Sequence, residues 1–235
     1  MSGIRILSIE TSTSMCSVAL HTNGVCDDCI EINEQNAHSS KLTVLIEKLL
    51  EQNNVRIADC DAIAISGGPG SYTGLRIGTS VAKGLCYAAN VPLIAVDTLQ
   101  ALALACKGMI ESENYSGNKI IFMPMIDARR MEVYSSQWSM DMEELSETQP
   151  LIVDHNTIET FDSANTYVLC GDGSAKCKDL LNAPHIHFVE NCNTTAQTVG
   201  TLAYEKFQKN QFEDVAYYEP FYLKEFVTTT PKNKI

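Results

Sequence analysis

The sequence predicts an α/β fold built on a mixed β-sheet, and two observations lead to this prediction. Three strand-like segments come first, and residues 21–24 between the second and third read His-Thr-Asn-Gly. Asn-Gly favours a tight turn between antiparallel strands, because both residues tolerate a positive φ. Helical and strand-like segments then alternate, which is typical of parallel strands connected by helices. Antiparallel strands followed by helix-connected strands combine into a mixed sheet.

The elements of the first half follow from the spacing of apolar residues. Leu42, Leu45, Ile46, Leu49 and Leu50 recur every three or four positions, which predicts a helix with one apolar face. A second helix is predicted after a glycine-rich loop, and a third begins after Asp97 or Thr98, either of which can cap it. The predicted strands are residues 4–9, 16–20, 25–32, 62–65 and 92–96, and the predicted helices are residues 38–51, 73–89 and 98–110.

A polar segment with a glycine, ESENYSGN at residues 111–118, is the best linker candidate. It divides the chain into predicted domains of residues 1–110 and 111–235. The second half has shorter elements and suggests a looser version of the first. Its predicted strands are residues 119–126, 131–138, 151–153, 167–170 and 186–189, followed by a helix at residues 195–207.

Composition and charge exclude several classes of protein. The chain has 235 residues, 45% of them apolar and 20% charged, as expected of a folded domain. Its net charge of −12, with no run of Lys or Arg, argues against tight nucleic-acid binding by this chain alone. We find no apolar stretch of the roughly 20 residues that span a membrane and no secretory signal, so we expect a cytoplasmic protein. Nine scattered cysteines are interpreted as reduced thiols that pack as small hydrophobic residues.

The glycine-rich segment at residues 66–78, SGGPGSYTGLRIG, lies between a predicted strand and a predicted helix. It lacks the Lys of a P-loop. Gly68, Gly70 and Gly74, with Asp97 after the next strand, come close to a dinucleotide fingerprint, but the third glycine is one residue late. An NAD-dependent oxidoreductase therefore stays as one alternative. The other is that these glycines shape a tight turn and allow close packing of the helix.

Other candidate sites are weaker. Glu10, Thr11 and Ser12 end the first strand and could hold a metal–phosphate group or simply cap a turn. Cys26 and Cys29 have CxxC spacing, but residues three apart in a strand point to opposite faces. The His185/His187 pair has no acidic or cysteine partner with an obvious approach, so we interpret it as structural. Asp127, Arg129, Arg130 and Glu132 could form an ion-pair cluster at a hairpin, and we interpret this cluster as solvated or structural.

Several segments together resemble the bacterial TsaB (YeaZ) family. They are ILSIETSTSMCSVAL, AHSSKL, AIAISGGPGSYTGLRIGTSVAKGL, VPLIAVDTLQALA, MIDARRMEVY, CGDGSAK and EPFYLK, in this order from residue 4 to about residue 224. The resemblance implies an actin-like ATPase fold with two RNase H-like lobes and mixed sheets, of which the second lobe is degenerate.

The resemblance also implies a role without catalysis. Proteins of this family are similar to TsaD, the subunit that transfers a threonylcarbamoyl group to adenosine of tRNAs reading ANN codons. They act as the partner that TsaD needs together with the ATPase TsaE. The metal of TsaD is held by an H-x-x-x-H pair, whose positions here are Glu34 and His38. One histidine with a displaced carboxylate is a poor Fe or Zn site, so we predict no metal, no catalytic residue and no tightly bound cofactor.

In the family the first two helices contact TsaD or a second copy of the chain. The resemblance therefore predicts a homodimer of the isolated chain, exchange for TsaD, and contact with tRNA only through partners. The predicted interface positions are Leu42, Val44, Leu45, Ile46, Gly74, Arg76, Ile77, Gly78, Val81 and Leu85. An alternative use of the apolar faces is the protein's own core, which would leave Val44, Arg76 and Tyr87 on the exposed side.

A competing hypothesis is that the chain is an actin-like ATPase or phosphotransferase in its own right. It would then use positions that we otherwise regard as a vestigial nucleotide site. These positions are Glu10, Thr11, Ser12, Gly68 and Gly70.

Overall fold

The computed structural model describes residues 3–34, 37–110, 115 and 118–224, and these residues form two five-stranded mixed sheets. In the first sheet the strand order is β3-β2-β1-β4-β5. The first three strands pair antiparallel, whereas β4 pairs parallel with β1 and β5 pairs parallel with β4. The bounds are β1 Arg5–Glu10, β2 Cys16–Thr22, β3 Val25–Ile32, β4 Ala62–Ser66 and β5 Leu93–Val96. The mixed sheet predicted from the sequence is confirmed.

The predicted hairpin turn is also confirmed. Asn23 and Gly24 both have positive φ, 52° and 80°, at the connection between β2 and β3. Positive φ at both central residues is the requirement of the turn that Asn-Gly favours.

Four α-helices accompany the sheets in the described part of the chain: α1 Ala37–Gln52, α2 Tyr72–Ala89, α3 Thr98–Met109 and α4 Ala196–Gln208. The side chain of Ser71 accepts from the N–H of Gly74 at the start of α2, and Asn90 ends that helix in the left-handed conformation. Asp97 caps α3 by accepting from the N–H of Gln100 at 2.8 Å, so of the two cap candidates the structure selects Asp97.

The second sheet repeats the topology of the first, with the order β8-β7-β6-β9-β10. Its strands are β6 Ile120–Asp127, β7 Glu132–Trp138, β8 Glu144–Ile152, β9 Thr166–Cys170 and β10 Ile186–Val189. Where the first lobe has α1 and α2, the described residues of the second lobe form only short 3-10 helices, at Thr157–Thr160 and Ala175–Cys177. The second lobe is therefore a degenerate copy of the first, as predicted.

The two lobes exchange a helix. Leu99 and Leu102 of α3 pack in one cluster with Phe122 of β6, so a helix from the first half covers the second sheet. In return, Leu202 of α4 packs with Ile6 of β1, so the last helix covers the first sheet. The predicted division at residue 110 thus separates the two sheets but not the helices that cover them. Most of the predicted linker, residues 111–114, 116 and 117, lies outside the described residues.

One strand differs from the prediction. β8 begins at Glu144, whereas the sequence predicted only residues 151–153. Its residues are mostly exposed because β8 is the edge strand of the sheet, so acidic residues and Pro150 are tolerated there. An edge strand without a buried face gives little apolar signal in the sequence.

Candidate functional site

The glycine loop follows β4, and its amide groups are used within the protein. The N–H of Gly67 donates to the carbonyl oxygen of Val96 at 2.7 Å, and the N–H of Gly68 donates to Oγ1 of Thr98 at 3.1 Å. The N–H of Ser71 donates to the carbonyl oxygen of Ser12 at 2.6 Å. A phosphate-binding loop presents such amides to its ligand. Here these three donors already have protein acceptors.

The segment that follows α4 covers this loop. Glu213 forms a bridge to Leu93 at the edge of the first sheet, and the chain then runs toward the loop. The N–H of Phe221 donates to the carbonyl oxygen of Gly67 at 2.7 Å. A Cβ atom at Gly68, whose φ is +107°, would lie 2.4 Å from the carbonyl oxygen of Phe221. Only glycine therefore fits beneath this segment.

Two side chains hold the covering segment in place. Lys83 of α2 donates to the carbonyl oxygens of Ala216 and Tyr218, each at 3.1 Å. The Tyr218 side chain packs against the first core, and burial raises the pKa of its hydroxyl. The sequence named this segment only as the family motif EPFYLK, and its contact with the glycine loop had no sequence signal.

Glu10, at the end of β1, is fully buried beside the loop. Its carboxylate accepts from the N–H and the hydroxyl of Ser12, each at 2.5 Å, and from the hydroxyl of Ser66. Burial raises the pKa of Glu10, and the hydrogen bonds from Ser12 and Ser66 offset part of that rise. Thr11 and Ser12 are buried as well. The structure buries Glu10, Thr11 and Ser12 beside the loop, whereas Gly68 lines a pocket of about 250 Å³ with Gly67 and Phe221.

Helix α2 packs directly on the strand end that carries Thr11. A Cβ atom at Gly74 would lie 2.0 Å from the carbonyl oxygen of Thr11, and one at Gly78 would lie 2.3 Å from its Oγ1. The prediction that Gly74 and Gly78 face a partner is therefore corrected. Their small size is required by a contact inside the protein.

A second correction concerns the apolar stripe of α1. Leu42, Leu45 and Ile46 are buried in the core of the first lobe and offer a partner almost no surface. Ile77, Val81 and Leu85 of α2 are half-buried and pack on the same core. The apolar periodicity that predicted an interface at these positions mainly reflects this core.

The exposed sides of α1 and α2 carry different residues. Val44 is 55% exposed and Tyr87 is 88% exposed, and both are large apolar side chains on neighbouring helices. Arg76 is exposed on α2, with its guanidinium 5.3 Å from the centre of the Tyr72 ring. These three positions agree with the exposed side expected from the sequence.

A groove of about 520 Å³ lies between α2 and the covering segment. Arg76, Lys83 and Lys224 line it, and the rings of Tyr72 and Tyr222 meet there with their centres 4.9 Å apart. The groove therefore adds aromatic rings beside Arg76, whereas Lys83 is bound to the covering segment and Lys224 pairs with Glu132.

The positions that correspond to the histidine pair of TsaD contact other groups of the protein. His38 lies with Nε2 3.0 Å from the carbonyl oxygen of Met15, which makes that nitrogen a donor rather than a ligand. Glu34 is exposed and pairs with Lys41. Among the residues that the structure describes, the one group with metal-ligand spacing is Cys106, Cys170 and Cys192. The sequence analysis missed this group because its members come from three distant segments.

The glycines of the family segment CGDGSAK, residues 170–176, are also packed by the protein. Gly171 has φ +95°, and a Cβ atom there would lie 2.4 Å from the carbonyl oxygen of Met125. Asp172 accepts from the N–H of Asp127 at 2.9 Å. Cys26 and Cys29 lie in β3 as free thiols, and burial raises the pKa of Cys29 to about 12, opposite to an activated redox thiol.

The repeated sheet topology, the exchanged helices and the glycine loop after β4 define an actin-like ATPase fold. YeaZ from Pseudomonas aeruginosa superposes with a TM-score of 0.79 at 25% identity, covering 94% of this chain and all of that one. The ethanolamine utilization protein EutJ from Carboxydothermus hydrogenoformans shares the fold, with a TM-score of 0.52 at 8% identity over 86% of this chain and 91% of that one.

A family model described as TsaD, tRNA N6-adenosine threonylcarbamoyltransferase, matches residues 31–231. The chain belongs to this family, and within it the chain is similar to the TsaB (YeaZ) proteins. The tRNA threonylcarbamoyladenosine biosynthesis protein TsaB of Haemophilus influenzae is 36% identical over 139 residues, which are 58% of this chain and 55% of that protein. The chain thus matches about half the length of its curated relatives.

No helix in the described part of the chain has the length and apolar character needed to cross a membrane.

Proposed function

We propose that this chain takes part in tRNA threonylcarbamoyladenosine biosynthesis as a non-catalytic subunit that binds and activates a TsaD-type transferase. The names of its TsaB relatives support the pathway. The observation that carries the non-catalytic role is the hydrogen bond from Phe221 to Gly67, because it closes the glycine loop over the buried Glu10. A TsaE-type ATPase then supplies the ATP turnover that this chain lacks.

The partner surface that we propose is the exposed side of α1 and α2. Val44 and Tyr87 offer apolar area there, and Arg76 with the adjoining groove offers a guanidinium and the aromatic rings of Tyr72 and Tyr222. Tyr and Arg are the side chains that most often dominate the energy of an interface. The isolated chain forms a homodimer through this surface and exchanges it for the TsaD-type subunit.

Contact with tRNA is indirect in this proposal. A net charge of −12 repels the phosphate backbone, and the cations of the groove are too few to reverse that repulsion. The positive surface that holds tRNA therefore comes mainly from the partners.

Reconstitution tests the proposal. TsaD-type and TsaE-type subunits, supplied with threonylcarbamoyl-adenylate and tRNA, are expected to form the modified adenosine only when this chain is added. Tyr87→Asp is expected to weaken both the homodimer and the activation, because it places a charge in an apolar contact. Leu145→Asp is the matched control, since Leu145 is an exposed apolar residue on β8 of the other lobe.

Activation that survives Tyr87→Asp and Val44→Asp unchanged would remove this surface from the proposal. The alternative function, an ATPase acting alone, is tested by calorimetric titration with ATP. Micromolar binding with turnover by the isolated chain, lost in Glu10→Gln, would favour the ATPase over the subunit role.

A further inference from the structure

Three cysteines from separate segments meet in the second lobe. Cys106 lies in the last turns of α3, Cys170 is the last residue of β9, and Cys192 lies between β10 and α4. Their sulfur atoms all lie within 4.8 Å of one another, and all three side chains are buried. The cluster therefore links the helix that crosses from the first lobe, the sheet of the second lobe, and the connection that returns to the first.

The surroundings of the cluster are apolar. Phe122, Trp138 and Val168 belong to the same core. The carbonyl oxygen of Leu102 lies 4.0 Å from the sulfur atoms of both Cys170 and Cys192. In the described part of the chain no His, Asp, Glu or fourth Cys joins the three sulfur atoms. Among the described residues, the possible metal ligands are therefore three soft sulfur atoms, without an oxygen or nitrogen side-chain ligand beside them.

We propose that Cys106, Cys170 and Cys192 form a binding site for one Cu(I) ion. Sulfur ligands without oxygen or nitrogen select Cu(I) or Zn²⁺ among the common metal ions. A structural Zn²⁺ site uses four protein ligands, whereas Cu(I) is stable with three. Cu⁺ would displace one thiol proton, which leaves to solvent, so the buried site stays neutral. Zn²⁺ would have to displace two protons to stay neutral, and it would still lack the fourth protein ligand of a structural zinc site.

Binding there couples the metal to the fold, because the ligands come from three segments that are far apart in sequence. An ion that binds only the folded state stabilises it by mass action. It would fix α3 and the start of α4, the two helices that the lobes exchange. This inference is independent of the proposed function.

The test is an anaerobic titration of the reduced full-length protein with Cu(I) against a chromophoric Cu(I) chelator. The half-buried pair Cys26 and Cys29, on the edge strand β3, is first replaced by serine so that it does not compete for the ion. We expect one Cu(I) per chain, and X-ray absorption of the bound copper should show three sulfur neighbours. Cys170→Ala should weaken binding by at least roughly 100-fold, the upper loss seen when even indirect metal partners are removed.

Cys86→Ala is the matched control, because Cys86 is a buried thiol of the other lobe. It should bind Cu(I) as the parent does, and circular dichroism should show both variants folded. Two findings would each overturn the site. One is that the parent takes Cu(I) from the chelator no better than Cys170→Ala does, and the other is that the bound copper has fewer than three sulfur neighbours. X-ray absorption of the parent protein tests the three-sulfur site directly, even if an alanine variant does not fold.

Discussion

The backbone N–H of Phe221 donates to the carbonyl oxygen of Gly67 at 2.7 Å, and this contact joins the last described segment to the glycine loop. The loop therefore acts as a docking groove for the protein's own chain. A Cβ atom at Gly68 would lie 2.4 Å from the carbonyl oxygen of Phe221, so the fit of the two segments depends on one glycine.

Gly68→Ala is predicted to destabilise the protein and loosen the covering segment. The φ of +107° disfavours any residue with a Cβ, and a strained position of this kind costs on the order of 1–3 kcal/mol before the clash with Phe221 is added. Urea unfolding should show the loss, and limited proteolysis near residue 218 should become faster.

Gly84→Ala is the control for that substitution. Gly84 is exposed on α2, and a Cβ atom there would meet no atom within 4 Å. Alanine favours a helix over glycine by about 1 kcal/mol, so this variant should be as stable as the parent or more so. Equal losses from both substitutions would contradict the packing of Gly68 beneath Phe221.

Asp97→Asn is predicted to remove a pH dependence of stability. Burial raises the pKa of Asp97 to about 6 from an ordinary value of 3.8, and the hydrogen bond from Gln100 offsets part of the rise. A carboxyl whose pKa is higher in the folded state than in the unfolded state stabilises the fold when it is protonated. This contribution is fully present below pH 3.8 and is lost as pH rises through 6.

The measurement is the difference in unfolding free energy between the parent and Asp97→Asn. Asparagine also caps helices well, so the cap itself is retained. The parent should lose about 2.4 kcal/mol relative to the variant between pH 4 and pH 7, since each unit of pKa corresponds to about 1.4 kcal/mol and pH 4 already lies just above the ordinary pKa. A difference that stays constant with pH would show that Asp97 keeps an ordinary pKa.

Sequence reasoning recovered the elements of this fold because their signals are local. The Asn-Gly turn, the apolar spacing from Leu42 to Leu49 and the cap before α3 each lie within a few residues. β8 was mostly missed because an exposed edge strand lacks the alternation of a half-buried one. The helix exchange was also missed, because no local pattern states which sheet a helix covers.

The candidate site was harder to predict for the same reason. The contact of Gly67 with Phe221 and the cluster of Cys106, Cys170 and Cys192 join residues that are far apart in sequence. Apolar periodicity identified the stripe of α1 but could not separate core from partner surface. The structure makes that separation through burial: Leu42 is 1% exposed and Val44 is 55% exposed.

Leu42→Ala and Val44→Ala should therefore differ strongly in their effect on stability. Leu42 is enclosed by the first core, and truncation of a buried leucine costs about 2–5 kcal/mol because it leaves a cavity. Val44 faces solvent, where substitutions usually change stability by less than about 0.5 kcal/mol. Chemical denaturation of the two variants tests this. Similar losses would mean that the register of α1 differs from the structure.

Glu10 allows a test of the enclosed site that separates its charge from its hydrogen bonds. Gln keeps an acceptor for the N–H and hydroxyl of Ser12, and its amide N–H can donate to the Ser66 hydroxyl, which then turns around. Glu10→Gln is therefore predicted to fold with stability equal to or above the parent at neutral pH. Glu10→Ala leaves buried donors without an acceptor and should cost on the order of 1–3 kcal/mol.

The pH dependence of stability, compared between the parent and Glu10→Gln, shows whether the ionised carboxylate of Glu10 is destabilising. Burial raises the pKa of Glu10, so the parent gains stability relative to Glu10→Gln as pH falls toward the ordinary pKa of glutamate, 4.5, and loses it as pH rises through the folded-state value. Thermal unfolding of both proteins from pH 4 to pH 8 measures this difference. If the Gln variant were the less stable one at pH 8, the three hydrogen bonds from Ser12 and Ser66 would outweigh the burial of an ionised Glu10. That result would contradict a raised pKa, because hydrogen bonds to a carboxylate favour its charged form.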